Sequence, residues 1–185
     1  MILFTSDFHF WHKNVIRFDN RPFKDVYEMN SEIVKRWNEV VGEDDTAYYL
    51  GDLTFGSTGA TKRLLYEMNG KIIWIKGNHD KPKVIRQLSD RFEGVYDYLA
   101  LREEGIILFH YPIWSWAGIH RGSILIFGHC HGNLQPVYNM DGKIITQKKL
   151  DVGCMNNNYY PISLDEVHQK LDGINNKAID HHEDK

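Results

Sequence analysis

Two stretches share one form: Tyr49-Leu-Gly-Asp-Leu-Thr-Phe55 and Ile73-Trp-Ile-Lys-Gly-Asn-His-Asp-Lys-Pro82. In each, an apolar run breaks at a glycine and is followed at once by polar residues of metal-ligating type, Gly51-Asp52 in the first and Gly77-Asn78-His79-Asp80 in the second. The runs themselves, Ala47–Leu50 and Ile72–Ile75, show no polar alternation, which suits strands buried on both faces. A strand that stops on a glycine and a ligating residue is presenting that residue to something, because the glycine lets the chain turn tightly without a Cβ in the way.

Outward from these stretches, further strand-like runs lie at Ile2–Thr5, Val95–Leu99, Ile106–Phe109, Ile124–Phe127 and about Ile144–Val152. Met29, Ile33, Trp37 and Val40 fall on one face of a helix. Leu64, Leu65 and Met68 mark a second helix, closed by the C-cap signal Asn69-Gly70. Pro82 to about Leu88 predicts a third, with proline in its first turn. Ser163-Leu-Asp-Glu166 predicts a fourth that opens on a capping box. The first half therefore reads strand–helix–strand–helix–strand and the second half mostly strands, which predicts an α/β fold with two sheets packed face to face and helices outside. Residues 1–173 are expected to form one domain, and residues 174–185, ending in His181-His182-Glu183-Asp184-Lys185, a frayed polar tail.

Composition narrows the function. With 185 residues, 42% of them hydrophobic and 25% charged, the chain can bury a sizeable core. The 22 basic and 25 acidic residues leave a formal charge of −3, so nothing favours broad binding to duplex nucleic acid or to an anionic membrane. No apolar run approaches ~20 residues, and Met1-Ile-Leu-Phe-Thr-Ser-Asp7 reads as a first strand rather than a leader. Cys130 and Cys154 form no CxxC pair, so neither a thiolate zinc site nor a disulfide framework is indicated, and a cytoplasmic location is expected.

In open α/β sheets, ligands bind beyond the carboxyl ends of the strands. Those ends here carry Asp7 and His9, Asp52, Asn78 and His79, His110, and His129 and His131. A single such histidine is most simply a hydrogen-bonded core residue; the set, one group after each successive strand, is not. Carboxylate, amide oxygen and imidazole nitrogen suit Mn, Fe, Zn or Ni. If the backbone is extended at Asp7-x-His9 and His129-x-His131, each pair turns both side chains into one pocket while Cys130 points away to pack. Asp7, His9, Asp52, Asn78, His110, His129 and His131 are too many donors for one tetrahedral site. Two ions sharing a bridging Asp52 use them all. Two dications less the charges of Asp7 and Asp52 leave the pocket near +2, which calls for an anion such as phosphate.

Asp7-Phe8-His9, Gly51-Asp52, Gly77-Asn78-His79-Asp80, His110 and Gly128-His129-Cys130-His131 resemble, in order, the motif blocks of the calcineurin-like metallophosphoesterases. The chain is most similar to small single-domain bacterial and phage members, which also carry segments like His12-Lys13-Asn14-Val15-Ile16 and Asn20-Arg21-Pro22-Phe23. The resemblance implies that fold, with the metals at the C-terminal edge of the strands. Asp7, His9, Asp52 and His131 would hold one ion; Asp52, Asn78, His110 and His129 would hold the other. The implied reaction is hydrolysis of a phosphodiester or phosphomonoester by a hydroxide held between two ions, Mn first among the candidates. His79 would be the general acid or the hydrogen-bond donor to the transition state. Where the family's protein phosphatases carry Asp-Arg-Gly after Gly-Asp, this chain has Leu53-Thr54-Phe55-Gly56, which disfavours a phosphoprotein substrate.

Substrate contacts are expected from Arg21, and less from Arg17, as phosphate ligands, and from His12. Trp114, Trp116 and His120, between the His110 and His129 blocks, would either line the substrate mouth or form a packed aromatic cluster. The substrate is expected to be a small phosphoester or nucleotide, with no long duplex and no membrane as partner. Two other readings stand: a non-catalytic scaffold, as in a retromer subunit of this fold that lacks the catalytic histidine, and a nuclease or cyclic-nucleotide phosphodiesterase.

Overall fold

The computed structural model describes residues 1–139 and 141–177. Four strands, β1 (Ile2–Thr5), β2 (Thr46–Tyr49), β3 (Lys71–Ile75) and β4 (Gly94–Tyr96), pair in parallel, and β9 (Ile162–Ser163) adds antiparallel to β1, in the order β4-β3-β2-β1-β9. Short α1 (Lys13–Phe18) and long α2 (Val26–Val40) connect β1 to β2; α3 (Thr58–Glu67) and α4 (Pro82–Leu88) make the next two connections. The second sheet runs β5 (Tyr98–Leu101), β6 (Ile106–Phe109), β7 (Ile124–Phe127), β8 (Lys149–Asp151), with β5 antiparallel to β6 and the rest parallel.

The period-2 pleat sorts the apolar runs into two cores. Leu3, Ala47, Tyr49, Ile72 and Trp74 face α2 and α3, where they meet Ile33, Trp37 and Leu65. Their neighbours Phe4, Tyr48, Leu50 and Ile75 face the second sheet, where they meet Leu108 and Ile126. Helix α5 (Leu164–Lys170) closes this sandwich with Val167 and Leu171. Its N-terminus carries the expected capping box between Ser163 and Glu166. The outer face of the second sheet is covered by the segment after His110: Trp116 and Ile119 pack on Ile107, Leu125 and Phe127.

Three sequence expectations change. Val95–Leu99 is not one strand: the chain leaves the first sheet at Tyr96 and enters the second at Tyr98, hinging on Asp97, which pairs with Lys76 at 2.6 Å. Asp is a poor strand former, and its side chain remains in solvent at the crossing. Of Ile144–Val152, only Lys149–Asp151 is strand, because Ile144 instead makes an isolated bridge to Tyr138. Residues 174–177 are not frayed: Ile174 packs on the inter-sheet core, and the Asn176 side-chain amide donates to the carbonyls of Ile119 (3.0 Å) and Ser123 (2.8 Å). The rest of the expected tail, with His181 and His182, lies outside the described residues. Among the described residues, no helix is long and apolar enough to cross a membrane.

Beyond their shared core, the sheets are joined by a backbone bridge at their carboxyl ends. Ser6, just past β1, bridges to Gly153, just past β8: its N–H donates to Val152 O and its C=O accepts from Cys154 N, both at 3.0 Å. This draws together the C-terminal ends of β1, β2, β3, β6 and β7. As Asn176 stitches the opposite edge of the second sheet, Asn176→Ala should cost about 1 kcal/mol, read as a lower urea midpoint at unchanged m-value. An unchanged midpoint would show that the clamp contributes nothing.

Candidate metal centre

Every ligand-type residue picked out at a strand end converges at that edge. Asp7, Asp52 and His110 are fully or almost fully buried, as is His9. Asp7, His9 and His131 form one group whose ligating atoms all lie within 4.8 Å of one another, and Asp7, Asp52 and His110 form a second. The Nε2 atoms of His9 and His131 are 3.0 Å apart, and His131 Nε2 is 3.5 Å from Asp7 Oδ1. On the other side, the Asn78 side-chain oxygen is 2.9 Å from both His110 Nε2 and His129 Nδ1. Asp52 spans the two sets: Oδ2 is 3.7 Å from His9 Nε2, and Oδ1 is 3.7 Å from His110 Nε2. Asp7 also lies within reach of both groups, so two carboxylates stand at the centre. A converging donor set of two carboxylates, one amide oxygen and four imidazoles fits two borderline divalent ions.

The local backbone is not what the sequence suggests. Extended chain was expected at Asp7-x-His9 and His129-x-His131; instead φ is +58°, +51°, +69° and +48° at these four residues and +60° at Asp52. Left-handed backbone on non-glycine residues is costly and persists only where surroundings enforce it, a state that clusters at functional sites. Here the enforcing contacts are visible. Gly51 turns at φ +95°, and a Cβ there would stand 2.6 Å from Gly77 Cα and His110 Nδ1. A Cβ on Gly128 would stand 2.4 Å from Ser6 Oγ and 2.7 Å from Asp7 Oδ2. Cys130, between the two histidines, packs against the outer-face cluster, as expected.

Hydrogen bonds behind the donors fix their tautomers. His110 Nδ1 lies 2.6 Å from the Leu50 carbonyl, which can only accept, so Nδ1 holds the proton and Nε2 presents its lone pair to the site. His131 Nδ1 likewise donates to Asp19 Oδ2 at 2.8 Å. Burial pushes His9 down to about 3, leaving it a neutral imidazole. Burial also works against a charge on His131, but hydrogen bonds to Asp19 and Asp7 and their charges override it and raise this group to about 10. That ordering follows from geometry: two imidazole nitrogens 3.0 Å apart need one proton between them, and His131, flanked by two carboxylates, keeps it. Burial and the charge of Asp7 raise Asp52, while His110 and the His79 amide pull it down.

The expected substrate residues scatter. His79 sits at the mouth, its side chain about half exposed, with Nε2 3.9 Å from Asp52 Oδ2 and its N–H donating to Asp52 Oδ1 at 2.9 Å. His12 also lies at the mouth, stacked on Phe55 at 4.1 Å and 5.8 Å from His9. Arg21 does not meet a phosphate: it is 4% exposed, and its guanidinium donates to the Phe8 and Asp7 carbonyls and to Asp19. Its burial beneath the β1 loop makes it a strut. His120 does not line the mouth either, for it sits in the turn Ile119–Arg121 that leads into the start of β7, the edge away from His110 and His129. Trp114 lies under Lys149, the first residue of β8, with Nζ 3.4 Å from its ring centre, while Trp116 packs on the outer face of the second sheet.

Four residues passed over in the sequence complete the site. Phe55, 45% exposed, flanks His9, His12 and His79. Tyr111 borders His110 and His129. Asp19 orients His131 and holds Arg21. Asp80 accepts from the amides of Asp52, Leu53 and Gly77 and from the Trp74 indole. Only Asp80 carried a signal in advance, as the closing residue of Gly77-Asn78-His79-Asp80.

Comparison with known proteins accords with this geometry. The model of the calcineurin-like phosphoesterase family matches residues 1–180. The chain belongs to that family. An uncharacterized protein of Methanocaldococcus jannaschii is 37% identical over 168 residues, covering 90% of this chain and 88% of its own. The Gene 66 protein of Mycobacterium phage L5 is 32% identical over 125 residues, 66% of this chain and 60% of its own. The crystal structure of a protein of unknown function from Aquifex aeolicus superposes with a TM-score of 0.69 at 30% identity, covering 92% of this chain and 98% of that one. The calcineurin-like phosphoesterase fold, two α/β sheets with flanking helices, is thus the fold of this chain.

Two outcomes follow for the centre. Metal binding has to expel the second imidazole proton of His131, whose pKa of about 10 keeps it protonated at neutral pH. Calorimetry of metal-stripped protein in buffers of differing ionisation heat should show proton release at pH 7 and affinity rising with pH; metal uptake without proton release overturns the assignment. Asp80→Ala, which strands buried N–H groups at ~1–3 kcal/mol each, should lower stability by more than about 3 kcal/mol in urea denaturation and weaken metal uptake. Native stability in that variant would show that Asp80 is dispensable.

Proposed function

We propose that this phosphoesterase-family chain is a hydrolase of phosphodiesters, with phosphomonoesters as the secondary class, using two divalent ions, Mn first and Fe, Ni or Zn as substitutes. The observation that carries the reading is the division of the donors into two sets about Asp7 and Asp52, with His79 unburied beside them. Asp7, His9, Asp52 and His131 would hold one ion and Asp52, Asn78, His110 and His129 the other, with Asp52 shared. Bound there, the ions supply charge neutralisation at phosphorus and a water acidic enough to attack.

The chain's own groups do the rest. The His110 tautomer keeps a lone pair on the site, and His131 offers one once its second proton is released. His79, held by its backbone to Asp52, places an imidazole where a departing oxygen needs a proton. Phe55 and His12 form an aromatic wall beside it. The scaffold reading is weakened by the presence of His79 together with the full donor set. The two free cysteines support a cytoplasmic setting.

Reconstituted protein should bind close to two metals per chain by elemental analysis, and Asp52→Asn should disturb both while His9→Ala disturbs chiefly one. Native two-ion binding in Asp52→Asn would shift the bridging role to Asp7. His79→Ala should keep both metals and lose ~10²–10⁴-fold in kcat on esters with alkyl leaving groups. On p-nitrophenyl esters, whose leaving group departs unprotonated, the loss should be far smaller. Equal losses would make His79 a stabiliser of phosphoryl oxygens rather than an acid. Full hydrolysis by chelator-treated, metal-free protein would refute the reading outright.

A further inference from the structure

We infer that the substrate polymer is single-stranded nucleic acid, guided into the metal centre along a basic, aromatic track on α1 and the start of α2. The inference rests on the phosphoesterase reading and names its substrate class. The track begins inside the site. Phe55 stacks on His12 with rings 4.1 Å apart and 19° from parallel, beside His9 and His79. His12 in turn meets Phe18 edge-on at 6.2 Å, and Phe18 is 62% exposed. Arg17 lies over the Phe18 ring, 5.4 Å from its centre. Lys13, Arg17 and Lys24 then line a groove of about 480 Å³ that ends at Tyr27, which is 71% exposed.

The overall charge of −3 conceals this face. Lys13, Arg17 and Lys24 are exposed, and none of the ion pairs formed by the described residues involves them. The acidic neighbours are committed elsewhere. Asp25 caps α2 through the amides of Tyr27 and Glu28, Glu28 accepts from the Lys24 amide, and Asp19 is shared by Arg21 and His131. Cations alternating with exposed rings are the recognition chemistry of single strands, in which phosphates pair with Lys and Arg and unstacked bases lie on aromatic faces. A duplex keeps its bases stacked and offers nothing to Phe18, Tyr27 or Phe55. A small ester would reach the metal centre without touching α1. Continuity from Tyr27 to Phe55 is therefore what selects a polymer, and the exposed rings are what select a single strand.

The test separates binding from chemistry. Anisotropy of a fluorescein-labelled 12-nucleotide oligothymidylate is measured on the full chain, metal-stripped so that nothing is cleaved, against parent, Lys13→Glu/Arg17→Glu/Lys24→Glu and Phe18→Ala/Tyr27→Ala. Both variants change exposed side chains, and circular dichroism confirms the fold. Charge reversal should weaken binding by at least tenfold and flatten the log Kd against log salt plot by about 2, from three single-strand phosphate contacts at about 0.7 each. The aromatic variant should weaken binding about tenfold with the salt slope unchanged. In reconstituted protein, hydrolysis of bis-p-nitrophenyl phosphate should be the same in parent and in Phe18→Ala/Tyr27→Ala. Equal binding by parent and charge-reversed protein, equal affinity for a hairpin duplex, or preferential binding to phosphatidylserine vesicles or polyglutamate would overturn the inference. Oligonucleotide binding without hydrolysis of any ester would uphold the track and overturn the catalytic reading; ester hydrolysis without oligonucleotide binding would do the reverse.

Discussion

The site depends on the buried carboxylate of Asp80. Its two oxygens receive four N–H donors, from Asp52, Leu53, Gly77 and the Trp74 indole, at 2.8–3.1 Å. Burial raises Asp80, and the amide donors pull it back, so the cost of placing a carboxyl here is offset only while all of those donors stay in position. That condition locks the turn after β2 to the turn after β3. Asp52 and Asn78 therefore hold a fixed separation before any ion is bound. Tyr49 repeats the device on the other side: its hydroxyl accepts from Phe8 N–H and donates to the Asp52 carbonyl, each at 3.0 Å, tying the β1 turn to the β2 turn. Asp151 does the same for the β7 loop through Gly132 N–H.

These ties explain how five donors can sit in left-handed backbone. Each such residue is strained on its own, at of order 1 kcal/mol or more. Asp7, His9 and Asp52 cannot relax without breaking the hydrogen bonds of their buried amides to Gly51, Asp52 and Asp80, which costs at least as much. Strain and satisfaction are thus set against each other within one shell of residues. The result is a donor constellation that is stiff because alternatives are worse, and a stiff constellation loses little entropy when ions and substrate bind.

The donors were legible in the sequence because each follows directly on its own strand: the run of apolar residues fixes the strand, and the break fixes the position. Asp7, Asp52, Asn78, His110 and His129 needed no knowledge of tertiary packing to be placed at one edge. Arg21 was misplaced, and Trp114 and His120 were left between two placements, for the converse reason. Each lies in a loop, and whether a loop crosses over the site or under it is decided by distant partners: the Phe8 carbonyl for Arg21, Lys149 for Trp114, the start of β7 for His120. The strand break at Asp97 was hidden because Val95 and Leu99 are equally apolar whether they lie in one sheet or two. Positive φ at Asp7 or His131 left no trace at all, since no glycine marks it.

The acidic pair at the centre is balanced by a proton. Asp7 and Asp52 are close, buried acids, and burial together with the charge of Asp7 raises Asp52. The imidazolium of His131 between Asp7 and Asp19 answers that repulsion. The two large cores and the ties through Asp80, Tyr49 and Asp151 are made by protein groups. The positions of the donors are thus set by the scaffold, through the turns that Asp80, Tyr49 and Asp151 tie together.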